Sequence, residues 1–290
     1  MDYSLKREER TPLVSVIVSV FNEENYIRES ICSIINQTYN HLEIIIIDDY
    51  CTDNSISIVK EFNDPRILLY KKVNEPRYLA SSRNIGINLA KGEYILLHDA
   101  DDTCATDRVE KQLNQAILMN CEAVIGCFVN KIYPDSSISK MVLPVNHEDI
   151  IKGFTRIRDR ATIVSGTILA NSSIFKKIKY NEYLKFAQDW DHMLRIFESN
   201  RIRFHNVPEF LYDYYQRPKN VIKKPDWPYY NILIRINQKR RTRGKEQLTN
   251  LEDLKKYLRN PSSFIFWGLL LKLIQLNLYI KNRKYSTSHI

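Results

Sequence analysis

Glycine is scarce: the chain has seven in 290 residues. A loop that wraps phosphates in its own backbone needs several glycines close together. No such cluster occurs, which argues against the nucleotide-binding classes built on one. Cysteine is equally thin: five, an odd number, with no Cys-x-x-Cys pair. Neither a disulfide framework nor a zinc site is expected, and a reducing compartment suits such thiols. The opening residues, MDYSLKREERTP, are charged and lack an apolar signal core. The expected location is therefore the cytoplasm.

What is present is ordinary in amount but uneven in arrangement. With 44% hydrophobic and 27% charged residues the chain reads as globular. Its length fits one large domain, or one domain with an appendage. The net charge of +9 is concentrated at one end: residues 201–290 hold 19 Lys or Arg against 6 Asp or Glu, a net of +13. Such a tail suits a polyanion, whether nucleic acid, an anionic membrane surface or a phosphorylated acceptor, or else forms a solvated basic face.

The first hundred residues alternate strand and helix. Val14 to Val20 (VSVIVSV) and Glu43 to Ile47 (EIIII) are apolar, β-branched runs of the kind a parallel sheet buries on both faces. Ile67 to Tyr70 and Tyr94 to Leu97 add two more strands. Helical spacing runs from Asn25 to Asn36, with Asn25 as N-cap, then from Asp53 to Phe62 and from Tyr78 to Ala90. This alternation predicts an α/β fold, a doubly wound and mostly parallel sheet flanked by helices. In such sheets ligands bind off the carboxyl ends of the strands. Three strands end in polar or acidic residues: Asn22-Glu23, Asp48-Asp49 and Asp99-Ala100-Asp101. One such end could be a helix cap; three in one sheet point to a single site. Clustered carboxylates at a strand end call for a cation, and a hard divalent metal takes oxygen ligands.

These residues resemble a known family. The stretch VSVIVSVFNEENYIRESICSIINQTYNHLEIIIIDDYCTDNS, followed by SSRNIGINLAKGEYILLHDADD, is similar to the opening of family 2 inverting glycosyltransferases of the bacterial polysaccharide type, which have the GT-A fold. The resemblance implies roles position by position. Ser19, Phe21, Asn22 and Glu23 fall where the family's first loop contacts the nucleotide, and Ala100 joins them. Asp49 falls where a carboxylate accepts the uracil N3–H, Arg83 in the helix that approaches the diphosphate. Asp99 and Asp101 form the Asp-x-Asp motif for Mn²⁺ or Mg²⁺, while Asp102 caps or braces the next turn. The chain departs from the pattern at Tyr50-Cys51, where Gly-Ser is usual, which leaves the loop's shape open. His98 stands in a usually apolar place and reads as an interior histidine.

The second half continues with a helix from Asp107 to Met119 and a strand from Ala123 to Asn130. Pro134 to Ile157 reads as a polar surface excursion, and Ile163 to Leu169 as a strand lining the site, with Gly166 allowing close approach. FAQDWDHMLRIF, Phe186 to Phe197, resembles the family's second carboxylate motif. It puts Asp189 at the catalytic base, with Gln188 in place of a glutamate. Judged alone, Asp189 would be a helix N-cap. Tyr215 and Arg217 fall near a family segment that meets the diphosphate or acceptor. Trp227, Tyr229 and Tyr230 offer aromatic faces for an acceptor sugar, or for packing.

The expected domains are a catalytic one over 1–220 (nucleotide half 12–105, acceptor half 106–220) and a basic, partly helical extension over 221–290. Within the latter, 263–280 is apolar with a central charge. It reads as an interfacial membrane helix with flanking cations, a helix docked on the catalytic domain, or a transmembrane span. The expected activity is metal-assisted inverting transfer from a nucleotide-diphosphate sugar, UDP-linked, to a hydroxyl of a glycan or lipid-linked glycan. The enzyme would be cytoplasmic, peripheral on the inner membrane face. A sugar-phosphate nucleotidyltransferase would need the missing glycine-rich loop. A nucleic-acid-binding protein would not line its cleft with carboxylates, so no nucleic-acid partner is expected.

Overall fold

A computed structural model describes residues 11–155, 162–199, 201–217 and 227–258. In chain order the elements are β1 (Val14–Val20), α1 (Ile27–Ile35), β2 (Leu42–Asp48), α2 (Ser55–Lys60), β3 (Ile67–Lys71), α3 (Leu79–Leu89), β4 (Tyr94–Asp99), β5 (Thr103–Cys104), α4 (Arg108–Met119), β6 (Ala123–Ile132), β7 (Ile138–Met141) and α5 (His147–Thr155). A 3₁₀ turn, Ser165–Thr167, precedes β8 (Leu169–Asn171), α6 (Ser172–Lys177), α7 (Gln188–Glu198), β9 (Arg203–Tyr215), α8 (Trp227–Arg241) and α9 (Leu251–Leu258). The expected segment 263–280 lies outside the described residues.

The strands form one sheet of nine, in the order β3-β2-β1-β4-β8-β6-β9-β5, with β7 paired to β6. β1 runs parallel to both β2 and β4, and β2 parallel to β3; β8 is antiparallel to β4 and β6. Ile44 to Ile47 are all fully buried, as the unbroken isoleucine run requires of a central parallel strand. Each such side chain contributes about 1.5–3 kcal/mol by leaving water. The chain winds outward from β1 through β2 to β3, then crosses back to β4 on the other side of β1. That reversal puts a topological switch between β1 and β4, where doubly wound sheets bind ligands.

Several boundaries differ from those the sequence suggests. Helix α1 starts at Ile27 with Tyr26 in the cap position and no side-chain cap bond, so Asn25 is not its N-cap. Of the stretch expected to be irregular, residues 134–155 are described, and they contain hairpin strand β7 and helix α5. Local polarity hid this because β7 lies at the sheet margin with its residues largely exposed. Ile163 to Leu169 is not a continuous strand, because the 3₁₀ turn at Ser165–Thr167 breaks it. Trp227 to Tyr230 opens α8.

The chain divides into two compact units, Met1–Glu182 with Asp191–Ile222, and Tyr183–Trp190 with Lys223–Ile290. Tyr183–Trp190 therefore groups with the C-terminal unit. Within the second unit, α8 buries Ile232, Leu233, Ile234 and Ile236, and α9 buries Leu254. Tyr230 is buried there too, edge-on to Phe186 at 5.5 Å, so it packs and offers no face to a sugar. Among the described residues no helix is long and apolar enough to cross a membrane.

Helix α7 carries a buried histidine with a consequence for acid stability. His192 lies against Phe175 and Tyr180, and its Nε2–H donates to the carbonyl of Ile178 at 2.6 Å. Burial, then the charge of Arg195, pushes its pKa down to about 3. The unfolded chain protonates this group below its ordinary value and the folded chain does not. Its contribution is therefore complete above about pH 6.5 and is lost as pH falls toward 3. In that window the slope is about 1.4 kcal/mol per pH unit for one proton. Urea unfolding between pH 7 and 4 is expected to be shallower in its pH dependence for His192→Gln by about one proton. An unchanged slope would assign acid sensitivity to other groups.

Candidate active site

The site is built from the carboxyl ends of β2, β1 and β4. In the sheet register Val20 stands opposite Asp48, and Ser19 opposite both Ile47 and Asp99. Neighbouring strands lie about 4.8 Å apart, so Asp48-Asp49, Ser19 to Glu23 and Asp99 to Asp101 share one rim. Helices α1, α2 and α3, which follow β1, β2 and β3, bring their first turns to the same edge.

The two flanking loops lock together. Asn22, in the left-handed region at φ 55, accepts the Thr52 N–H through Oδ1 at 2.8 Å. Asparagine tolerates that region because its short amide bonds locally. Glu23 N–H donates to Ser55 Oγ at 2.8 Å, and Glu24 N–H to Asp53 Oδ2 at 3.0 Å. Phe21 stays partly exposed under the Arg77 guanidinium, 4.0 Å from its ring centre. Ser19 Oγ is buried with no hydrogen-bond partner among the described residues. Ala100 is packed in the core, so only its backbone can meet a ligand.

The open question of the Tyr50-Cys51 loop has an answer. Tyr50 adopts φ 62, the conformation that glycine takes freely and tyrosine takes at a cost. Its hydroxyl donates to the Glu75 carbonyl at 2.9 Å, which helps hold it there. Cys51 N–H donates to Asp48 Oδ1 at 2.8 Å, and burial pushes the Cys51 thiol up to about 12. A thiol so raised is structural and is no nucleophile.

At the end of β4 the acidic residues have separate tasks. Asp99 Oδ1 pairs with the buried Arg83 at 2.9 Å, and Arg83 also donates to Ser165 Oγ at 2.9 Å. A third of the Asp99 side chain stays exposed. Asp101 is partly exposed beside it. Asp102 is buried: its carboxylate accepts from Tyr212 Oη at 2.8 Å and from the Tyr215 N–H at 2.9 Å. Asp102 thus braces β9, a strand 110 residues further on, not the turn that follows it. Burial, then the nearby charges of Asp99 and Asp101, pushes its carboxyl up to about 8.

Beneath this turn lies a fully buried arginine that the sequence reading passed over. Arg108 donates to the carbonyls of Leu97 (3.0 Å) and Gly166 (2.9 Å), to Gln112 Oε1 (2.9 Å) and to His98 Nδ1 (3.1 Å). Because Arg108 can only donate, His98 Nδ1 accepts, and its Nε2–H is left to donate to the Asp102 carbonyl at 3.1 Å. Burial and the Arg108 charge push His98 down to about 3, so it is a neutral interior residue. Position 108 reads as an ordinary charged residue in the first turn of a helix, and nothing in its neighbours announces burial.

Gly166 is tightly boxed: a Cβ there would stand 2.5 Å from Tyr212 Oη and 2.6 Å from Asp99 Oδ2. Both neighbours are held by hydrogen bonds, so neither can yield cheaply. Gly166→Ala is expected to lower turnover about 100-fold while far-UV dichroism stays native, since misplacement of about 1 Å costs that much. A variant with wild-type turnover would mean that Asp99 tolerates displacement.

Arg217 lies on two tyrosines, 3.6 Å from the Tyr26 ring centre and 4.3 Å from that of Tyr215, and donates to the Asp101 carbonyl at 3.0 Å. Its Nε is buried with no hydrogen-bond partner among the described residues. A second cation, complementary to Arg83, is thus fixed at the acidic turn, and Tyr26 is an unforeseen part of its cradle. Among the described residues no group of three or more His, Cys, Asp or Glu could hold a metal alone. Asp99 and Asp101 still fit a hard cation in kind, as partly exposed oxygen donors within one turn, if a bound diphosphate and water complete its ligands.

Asp189 belongs to the second unit. Helix α7 begins at Gln188, after Ala187 in the left-handed region at φ 54, so Asp189 is in the first turn and not at the cap. Its Oδ1 accepts the Trp190 N–H at 2.8 Å, and Trp190 in turn faces Arg235 at 5.1 Å. Asp191, in the first unit, is buried and paired with Arg195 at 2.7 Å, a structural role. The backbone of Trp227 opens α8.

TarS residues 1–349 of S. aureus, crystallised with UDP-GlcNAc, superpose with a TM-score of 0.61 at 21% identity, over 77% of this chain and 65% of that one. The architecture is that of a GT-A glycosyltransferase. The chain belongs to glycosyl transferase family 2, whose sequence profile matches residues 15–183. An uncharacterized glycosyltransferase of Methanocaldococcus jannaschii is 32% identical over 280 residues, 93% of this chain and 89% of that protein. Chondroitin synthase of Pasteurella multocida is 26% identical over 269 residues, 88% of this chain but only 26% of the synthase.

Proposed function

We propose that the chain transfers a sugar, with inversion, from a UDP-sugar to a hydroxyl of a glycan or lipid-linked glycan. The carrying observation is the convergence of Ser19, Asp49 and Asp99 on one rim at the sheet's switch point, with Arg83 and Arg217 fixed beside them. A carboxylate at Asp49 suits an imide N–H, and the arginines suit a diphosphate. Asp99 and Asp101 would hold Mn²⁺ or Mg²⁺. A bound divalent ion would offset the charge that builds on the departing diphosphate. Asp189 would accept the proton of the acceptor hydroxyl as that oxygen attacks the anomeric carbon on the face opposite the diphosphate.

Gln188 and Trp227 are assigned to the acceptor side, and Tyr215 to the wall that holds Arg217. A polymer-building relative supports a glycan acceptor. The basic run Arg235 to Lys245 supports a cytoplasmic enzyme held peripherally at an anionic membrane surface. The test is a panel of nucleotide sugars with and without Mn²⁺, scored for thermal stabilisation and for donor hydrolysis. UDP-sugars are expected to stabilise the protein most, and more with metal. Absence of any nucleotide response, with or without Mn²⁺ or Mg²⁺, overturns the reading.

A further inference from the structure

The base-binding rim holds a lysine that the donor reading leaves unexplained. Lys72 directly follows β3, and its N–H donates to the Asp48 carbonyl at 3.2 Å. Its side chain is 0% exposed. A buried ammonium must satisfy three N–H donors or carry a large penalty. Lys72 satisfies all three: Asp49 Oδ1 at 2.8 Å, the Pro76 carbonyl at 2.5 Å and Ser82 Oγ at 3.1 Å. No donor remains for a ligand, so Lys72 acts only through what it holds.

What it holds is the carboxylate assigned to the nucleobase. Asp49 is itself buried, and with Oδ1 committed to Lys72 its Oδ2 has no protein partner among the described residues. The surround is closed. The Tyr50 ring lies 5.7 Å from the ammonium, and Tyr50 is tied to the Glu75 carbonyl. Glu75 accepts from Tyr70 Oη at 2.9 Å and from the Val73 N–H at 2.8 Å. Through Ser82, Lys72 also reaches the helical turn that carries Arg83.

We propose that Lys72 is the positioning residue for donor-base selection. It fixes Asp49 so that one acceptor, Oδ2, meets the base edge. A base with an imide N–H, such as uracil, supplies the missing donor. Cytosine presents a lone pair at the same ring position, so two acceptors would face each other without a proton. Rejection is steep when a buried polar group is left unpaired. Without Lys72 the carboxylate is free to turn, and the discrimination falls. This rests on the UDP-sugar reading above.

Calorimetric titration of UDP and CDP, each with Mg²⁺, tests it on the full chain. The wild-type protein is expected to prefer UDP by at least about 30-fold. Lys72→Met should bring the ratio to within about threefold. Lys72→Gln removes the charge and, one bond shorter, does not set its amide where the ammonium meets Asp49 Oδ1; its polar end secures folding where the Met variant fails, and it should do the same. Lys72→Arg keeps charge and donors and should retain most of the preference. A folded Met or Gln variant with the wild-type ratio overturns the proposal. So does an equal loss for UDP and CDP, the signature of a merely structural lysine. Wild-type protein that binds neither nucleotide overturns the donor reading instead.

Discussion

Asp189→Asn is expected to abolish sugar transfer, with turnover down by 10³-fold or more, in the upper part of the range a positioned general base supplies. Binding of the nucleotide should be unaffected, because the substitution removes only an acceptor for the hydroxyl proton. The helix should also persist: Asp189 is in the first turn of α7, not at its cap, and the amide keeps an oxygen for the Trp190 N–H. Loss of one helix-terminal charge costs about 0.3–1 kcal/mol, far less than the loss of a base. The discriminating readout is single-turnover transfer measured beside the dissociation constant for UDP. Full turnover by the variant would remove the base from this position and leave Asp189 a first-turn carboxylate. Donor hydrolysis adds a second readout, since water at the anomeric carbon needs the same acceptor for its proton.

Asp101→Asn carries the other large effect. It is expected to remove the Mn²⁺-dependent part of nucleotide binding and to lower transfer by about 10²-fold or more, since charge stabilisation by a metal is worth several kcal/mol. The turn itself should survive. Its supports are the Asp101 carbonyl held by Arg217, the Asp102 carboxylate held by Tyr212 and Tyr215, and Arg108 beneath. None of these bonds uses the Asp101 side chain. Thermal stabilisation by UDP with and without Mn²⁺ separates the outcomes. If the metal increment is undiminished, Asp101 is not the ligand, and Asp99 with the diphosphate holds the ion. The same substitution at Asp99 is less clean, because it also breaks the pair with Arg83.

Local pattern determined a good deal here. Short β-branched runs such as VSVIVSV and EIIII, bounded by polar residues, read as strands buried on both faces. Their alternation with helical spacing required crossovers of one hand and therefore a common rim for Asn22, Asp49 and Asp99. The ordered motifs carried the family as well. These features are legible because each depends on neighbours within one element.

Tertiary structure decided what depends on partners far along the chain. Lys72 follows Lys71, and by composition both are solvated; strand geometry turns one outward and buries the other against Asp49, 23 residues earlier. Arg108 is a first-turn arginine until the sheet closes over it. Asp102 reads as a brace for the turn that follows it, yet Tyr212 and Tyr215 claim it from 110 and 113 residues away. The unit to which Asp189 belongs is likewise a matter of long-range contact. A sequence displays charge; whether that charge meets water, a ligand or another buried charge is set by packing, since only packing removes the competing solvent.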